Sequence, residues 1–385
     1  MILTVNAGSG SLKAHLVDPE TEEVADSVEV DAAPDSDEAG QALDELLDRA
    51  SGVTAVGHRL VHGGPDLTAP AVVDDDVLAA VKRAEPLAPL HLPAALALLD
   101  RLRSRLPDVP HVVSADTGFH RTLPEHARTY ALPAQWRERF DLRRYGFHGL
   151  SYRWALDRTA ALLDRPAGDL QVLLAHLGGG CSVCAVRDGA SVDTSMGLTP
   201  LEGLVMSKRS GSVDPGLLLW LLDQGGLSQE ELSDGLNHRS GLLGLSGGRS
   251  GDTRDLVAAK DPAAALALRV FTHHAARGLA AAATSLDRLD AVVFTGEIGW
   301  DQPEVRADVC AGLGLLGVAP LSSGNRSDDG PVSARDARVP VLVVRPREEL
   351  QLCRDTVAAA GQPDSSVVTC WAPTGFDSGE PRWRR

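Results

Sequence analysis

Two glycine-rich turns, about 170 positions apart, constrain this 385-residue chain more than any other feature. The first follows an apolar run from Ile2 to Val5. It reads Asn6-Ala7-Gly8-Ser9-Gly10-Ser11, after which a second apolar run ends at Val17. The second lies in QVLLAHLGGGCSVCAVR, residues 171–187, where Gly178-Gly179-Gly180 divides an apolar strand from an alternating one. Each pattern predicts a hairpin whose turn bares several backbone N–H groups, because glycine reaches φ > 0 and lets a ligand come close. Such groups bind anions, and Lys13 stands just past the first turn with an ammonium for the same anion. Alone, either hairpin reads as a surface turn. Its recurrence near the start of a second half predicts domain duplication, with a phosphate chain held from both sides of a cleft.

The length accommodates two domains with separate cores. Apolar residues make up 43% and charged residues 23%, the proportions of a globular protein. A net charge of −16 argues against nucleic acid or an anionic membrane as a partner, so an anionic substrate must be held by a few local arginines. No basic leader precedes an apolar stretch, and no apolar run approaches the roughly 18 to 20 residues of a membrane span. Five scattered cysteines make no disulfide framework, and a cytoplasmic location is expected. Cys181 and Cys184 form a lone C-x-x-C inside a predicted strand, without a second pair to complete a metal site, and read as structural.

Strand-like runs at 2–6, 53–57, 110–115, 171–177, 181–187, 290–295 and 340–345 alternate with helical patterns, which predicts an α/β fold with largely buried sheets. Ser36 is placed to cap a helix reaching Ala50, and Ser151 to cap one running through Leu163. Asp261-Pro262 reads as the cap and first residue of an alanine-rich helix ending near Leu286. The expected division is a first domain at 1–150, a second at 151–371, and a flexible tail at 372–385.

Arginines and histidines gather on segments that are neither caps nor plain surface: VGHRLVHGG around Arg59, ADTGFHRTLP around Asp116, RRYGFHGLSY around His148 and VMSKRSGSVDPG around Arg209. Phosphoryl transfer calls for this mixture. The moving group spreads negative charge over its oxygens and needs planar cationic clamps, a divalent metal and carboxylates to hold the metal. Asn6, Asp116 and the Glu348–Glu349 pair offer hard oxygen donors for Mg²⁺, directly or through water. The P-loop, dinucleotide-fold and protein-kinase signatures are all missing.

These segments occur in an order that resembles the acetate kinase family, within the superfamily of acetate and sugar kinases, heat-shock chaperones and actin. The resemblance runs from NAGSGSLK at 6–13 to REELQLCRDT at 347–356. Between them stand GHRLVHGG, APLHLP, DTGFH, RRYGFHGLS, HLGGG, DTSMGLTPLEGL, SGLLGLSGGRSGDTRDL and FTGEIG. It implies two duplicated actin-like (ribonuclease H-like) domains with an active-site cleft between them. It also implies reversible, Mg²⁺-dependent phosphoryl transfer from ATP to acetate, giving ADP and acetyl phosphate, with Mn²⁺ as a substitute metal and a homodimer as the assembly.

Carried over by position, Asn6 and Glu348 match the metal-associated residues and Lys13 the phosphate-side lysine. Arg59 matches the substrate-binding arginine, Asp116 the catalytic aspartate, and His148 and Arg209 the transition-state stabilisers. His176, Leu177, Gly178, Gly179 and Gly180 match the second phosphate loop. Asp252, Thr253 and Arg254, with Glu297, Ile298, Gly299, Trp300 and Asp301, match the nucleotide-binding stretches. Val61, Leu90, Phe147 and Pro200 or a neighbour are expected around the acyl methyl. Alternatives are a propionate or other short-chain acyl acceptor, a donor such as pyrophosphate, and a catalytically silent ligand-binding relative.

The chain departs from the family pattern at several points. Gly10 replaces a serine, Gly179 an asparagine and Tyr152 a histidine, while His91-Leu92-Pro93 stands for HNP. Most notably, Glu297 replaces a glycine beside the expected adenosine site, and Trp300 replaces a glutamate.

Overall fold

The computed structural model describes residues 1–8, 10–259, 261–321 and 328–361. Ser9, Cys370 and the expected tail at 372–385 lie outside the described residues. Both predicted hairpins form. The first pairs β1 (Ile2–Ala7) with β2 (Leu12–Val17), and the chain returns along β3 (Val24–Val30). Strands β4 (Ala55–Leu60), β5 (Ala71–Val72) and β6 (His111–Ala115) complete a six-stranded sheet in the order β3-β2-β1-β4-β6-β5. The second half repeats it. The strands β7 (Gln171–Leu177), β8 (Cys181–Arg187), β9 (Ala190–Thr194), β10 (Ala291–Thr295), β11 (Gly330–Pro331) and β12 (Val341–Val343) stand as β9-β8-β7-β10-β12-β11. In each sheet an antiparallel ribbon of three strands joins a parallel run of three, so the two halves share one topology.

Each sheet covers one face with helices of its own half. Leu3, Val5, Val56 and Val113 pack against Leu43, Leu46, Val81 and Leu99 of the first-half helices. Leu173, Ala175 and Val292 pack against Phe271, Ala275 and Leu279 of the helix Pro262–Ala283. The opposite faces meet one shared apolar cluster, in which Ile2, Val17 and Ala55 join Val172, Leu174, Val293 and Leu342. Two helices supply the rest: Gly149–Leu163 with Tyr152 and Trp154, and Glu348–Ala360 with Leu350 and Cys353. The helix Glu348–Ala360 lies on β1, β4 and β6, so the end of the described chain returns to the first sheet.

Caps follow the sequence in two places of three. Ser36 Oγ accepts from the Ala39 N–H at 3.2 Å, and Asp261 accepts from Ala263 and Ala264, with Pro262 opening the helix. That helix stops at Ala283, three residues before the expected end. Ser151 is no cap. The helix begins at Gly149, His148 occupies the cap position at φ 61°, and the Ser151 hydroxyl turns to His176 instead. Cys181 and Cys184 sit buried as free thiols in β8, with burial pushing Cys181 up to about 12.

Candidate active site

Strand register decides where the chemistry stands. In the first sheet Asn6 pairs with Lys13 on one side and Arg59 on the other, giving one row on one face. One step beyond the end of β6 is Asp116, at the start of a 3₁₀ segment. The Arg59 guanidinium grips Asp116 with two bonds, Nε to Oδ1 at 3.1 Å and Nη2 to Oδ2 at 2.5 Å, while Nη1 donates to Asn6 Oδ1 at 2.8 Å. The first turn of the helix Glu348–Ala360 adds Glu348, whose Oε2 accepts from Asn6 Nδ2 at 3.3 Å and lies 4.0 Å from Arg59 Nε. Asp116 is only 1% exposed. Burial pushes its carboxyl above the usual value and the Arg59 charge opposes that rise. Burial also works against the Arg59 charge, and Asp116 and Glu348 outweigh it, so the guanidinium stays ionised.

The second sheet builds the equivalent row from neutral groups. His176 pairs with Ser182 and Thr295, the counterparts of Lys13 and Arg59. His176 Nδ1 meets Ser151 Oγ at 2.8 Å, and its ring stacks on His148 at 4.0 Å between centroids. His148 Nδ1 meets Ser182 Oγ at 2.8 Å, and Ser182 Oγ meets the Tyr152 hydroxyl at 2.5 Å. Burial, then the neighbouring His176 and the two arginines, hold His148 well below 6.5, and burial takes His176 to about 4. Both rings are therefore neutral at pH 7.

Gly180 shows how closely this wall is packed. A Cβ there would lie 2.9 Å from Arg209 Nη2 and 3.0 Å from His148 Nε2, so a side chain would displace one of them. Arg209 is steered by Nη1 donating to the Pro200 carbonyl at 2.7 Å. Burial lowers its pKa, the position of a cation short of counter-charge.

Asn6, Lys13, Arg59, His176 and Glu348 border a cleft of about 1230 Å³, whereas Asp116, His148 and Arg209 do not line it. Its walls include Asn6, Lys13, Arg59, His176, Gly178, Gly179, Asp252, Thr253, Arg254, Glu297, Ile298, Trp300, Asp301 and Glu348. Leu177 ends β7, Gly180 closes the turn that follows and Gly299 lies in the short helix Gly296–Asp301; none of the three lines the cleft. Gly296 holds φ 80°, and a Cβ there would run into the Leu177 backbone, a position that only glycine fills easily. Thr253 Oγ1 is buried in the wall with no hydrogen-bond partner, a group that a bound ligand would satisfy.

Glu297 sits on the rim, its side chain 78% exposed and 3.9 Å from Lys13 Nζ. Lys13 also pairs with Glu29. Burial works against the Lys13 ammonium and these carboxylates outweigh it. Trp300 packs on the second core, with the Arg345 guanidinium 5.1 Å above its ring. Around the expected acyl pocket the picture is mixed: Val61 and Phe147 share one buried cluster, whereas Leu90 is 53% exposed.

Sequence reading missed Ser182 and His91 as members of this neighbourhood. The signal for Ser182 was the hairpin itself, since a three-glycine turn puts it opposite His176. His91 opens the helix Leu92–Arg105, and burial with the charges of Arg59 and Arg209 pushes it to about 4.

Hard oxygen donors gather at Asn6 and Glu348, and among the described residues no group of three or more His, Cys, Asp or Glu converges as a cage. That sparse set fits Mg²⁺, which keeps several waters and relies on one or two carboxylates plus substrate phosphates.

Guanidinium groups facing a glycine turn across a cleft suit the handling of a group charged on every oxygen, the task of a two-domain phosphotransferase. Comparison with known proteins narrows that class. The acetokinase family model matches residues 40–354. The acetate kinase of Deinococcus radiodurans is 42% identical over 93% of this chain and 98% of its own length. That of Thermotoga maritima is 39% identical over 92% and 97%. Among solved structures, Porphyromonas gingivalis acetate kinase superposes with a TM-score of 0.85 at 32% identity, covering 93% of this chain and 99% of its own. A propionate kinase from Francisella tularensis gives 0.83 at 32% identity, covering 92% and 98%. The chain belongs to the acetokinase family.

Proposed function

We propose that this chain is an acetate kinase, transferring the γ-phosphoryl group of ATP reversibly to acetate to give ADP and acetyl phosphate. The observation that carries the reading is the Arg59–Asp116 pair at the first-sheet strand ends, facing His148, Gly180 and Arg209 of the other wall. Residues 1–150 supply the acyl side and residues 151–371 the nucleotide side, with Glu348 returning to the first sheet.

In this reading Arg59 orients the acetate carboxylate, and Asp116 fixes Arg59 and itself positions the carboxylate or holds the metal through water. A carboxylate oxygen attacks the γ-phosphorus, the bond to the bridging oxygen breaks, and the electron pair leaves with ADP. Arg209 and the Nε2–H of neutral His148 stabilise the charge that develops on the moving phosphoryl oxygens. His148 offers that proton because Ser182, itself held by Tyr152, donates to Nδ1. Asn6 and Glu348 would hold Mg²⁺, directly or through water, and the bound ion would neutralise phosphate charge. The glycine turn Gly178–Gly180 and Lys13 hold phosphates, while Asp252, Thr253, Arg254, Ile298 and Trp300 receive the adenosine.

The helix Pro215–Asp223 exposes Leu217, Leu219 and Trp220 together. A second copy of this chain is the partner proposed for that apolar face, giving a homodimer. No helix of the described residues is long and apolar enough to cross a membrane, and we place the enzyme in the cytoplasm. Hydroxamate formation with ATP, GTP or pyrophosphate against acetate, propionate or butyrate tests the assignment. The expected best pair is ATP with acetate. Preference for propionate would move the assignment to the neighbouring acyl kinase, and no turnover with any pair would overturn it.

A further inference from the structure

A second, smaller cavity of about 130 Å³ lies behind the segment that carries Asp116. Its walls include Arg121, Arg128, Arg143, Arg144, Thr117 and Tyr145, and no aspartate or glutamate contributes to the lining. Four guanidinium groups around so small a space repel one another, and partly buried cations without counter-charge are costly. Part of that charge is answered within the chain, where Arg121 and Arg144 each have an interaction of their own. Arg144 is engaged, with Nη2 on Glu202 at 2.7 Å and Nη1 on the Ser195 and Met196 carbonyls. Glu202 is shared with the Tyr130 hydroxyl at 2.6 Å, so it has little left for a second arginine.

Arg128 and Arg143 have no ion pair among the described residues. Arg143 lies 4.6 Å above the Tyr145 ring, an arrangement that fixes the plane of the guanidinium. Its Nε is buried with no hydrogen-bond partner. A fixed guanidinium with an unanswered N–H beside three other cations has the makeup of an oxyanion receptor.

We propose that this cavity is a binding site for a small divalent oxyanion, with inorganic phosphate as the representative ligand. Its size admits a tetrahedral anion and excludes a nucleotide, which needs the tenfold larger cleft. It is distinct from the phosphate positions of that cleft, since the two share no lining residue. The sites are nevertheless adjacent through the chain. Thr117, in the cavity wall, follows Asp116 directly, and its hydroxyl accepts from the Gly63 N–H at 3.0 Å. An anion bound to Arg128 and Arg143 therefore braces the segment Asp116–Thr122 from behind.

Calorimetric titration of inorganic phosphate into the full-length protein tests this, with the large cleft first saturated by Mg²⁺ and a non-hydrolysable ATP analogue. One further equivalent of phosphate is expected in the native protein. Its affinity should fall at least tenfold in the Arg128→Gln/Arg143→Gln double variant and remain in Arg209→Ala. Absence of that equivalent in the native protein, or equal affinity in the double variant, overturns the proposal. Should the double variant not fold, crystals of the native protein soaked in selenate decide the matter. An anomalous peak between Arg128 and Arg143 supports the site, and an empty cavity rejects it.

Discussion

The two sheets have one strand order, yet equivalent positions carry opposite chemistry. Lys13, Asn6 and Arg59 form the row at the end of the first sheet; Ser182, His176 and Thr295 form the matching row in the second. The first row is ionic, and Asp116 and Glu348 balance it. The second is neutral, its two histidines stripped of charge by burial. Each row lies under a helix that crosses the centre, Glu348–Ala360 on the first sheet and Gly149–Leu163 on the second. Duplication supplied the frame. What differs is which groups each half can afford to desolvate: a tightly paired arginine on one side, hydrogen-bonded neutral rings on the other.

The contrast predicts unequal costs of mutation. Asp116→Asn keeps the shape of the first row and removes its buried charge, and turnover in the hydroxamate assay should become undetectable. Persisting turnover would remove Asp116 from the site. Next in size, Arg59→Ala and Arg209→Ala should each lower kcat/KM on the order of 10²-fold or more. Arg59 should lose more in acetate KM and Arg209 more in kcat. Arg59→Ala also leaves Asp116 buried without its partner, so its thermal midpoint should fall with a stability loss of about 3–5 kcal/mol. Near-normal activity in both single variants would break the account of the first row and its facing clamp.

The neutral row should respond more gently. Tyr152→Phe removes the hydroxyl that orients Ser182, and with it the preference for the Nε2–H tautomer of His148. A loss of about tenfold in kcat, or 1.4 kcal/mol in the barrier, is expected with acetate KM unchanged. A KM change alone would make Tyr152 a packing residue.

Acid should act on the buried neutral histidines throughout the chain. Burial takes His58 to about 3 and His62, His91, His120 and His176 to about 4, against 6.5 when unfolded. Between those values the unfolded chain binds more protons. Stability is therefore fully present above pH 6.5 and lost as pH falls toward 4. Thermal midpoints measured across that window should decline steadily, and a flat profile would contradict the burial of these rings.

Glu297→Gly should have the smallest effect. The carboxylate is mostly exposed on the rim, turned to Lys13, so the ATP KM should change less than about threefold. Improvement of tenfold would mean that Glu297 obstructs the nucleotide.

The sequence was most readable where one local pattern carried both strand and turn. Gly8–Ser11 and Gly178–Gly180 marked both hairpins because glycine turns between apolar runs admit few other structures. The third strand of each ribbon escaped. Val24–Val30 reads VADSVEV, in which Asp26 and Ser27 interrupt the apolar alternation at an exposed edge, and Ala190–Thr194 is short. The metal-side residues and most nucleotide-side residues named by motif line the cleft, whereas Asp116, His148, Arg209, Val61, Leu90 and Phe147 do not. The Tyr152–Ser182–His148 chain stayed invisible because it joins positions 30 and 34 residues apart through sheet register and a helix start. Ser151 misled for a related reason: a serine ahead of an apolar run resembles a cap, and only the fold brings His176 to its hydroxyl. The arginines of the smaller cavity looked like ordinary loop charges until four of them were brought around one space.

The central claim is that the ionic row serves the acyl and phosphoryl groups while the second half holds the nucleotide. It is tested most directly by measuring Mg²⁺-ATP affinity calorimetrically on Asp116→Asn beside the native protein. Dissociation constants within about threefold, in a variant whose turnover is lost, are the predicted result. Nucleotide affinity falling along with turnover would contradict the division.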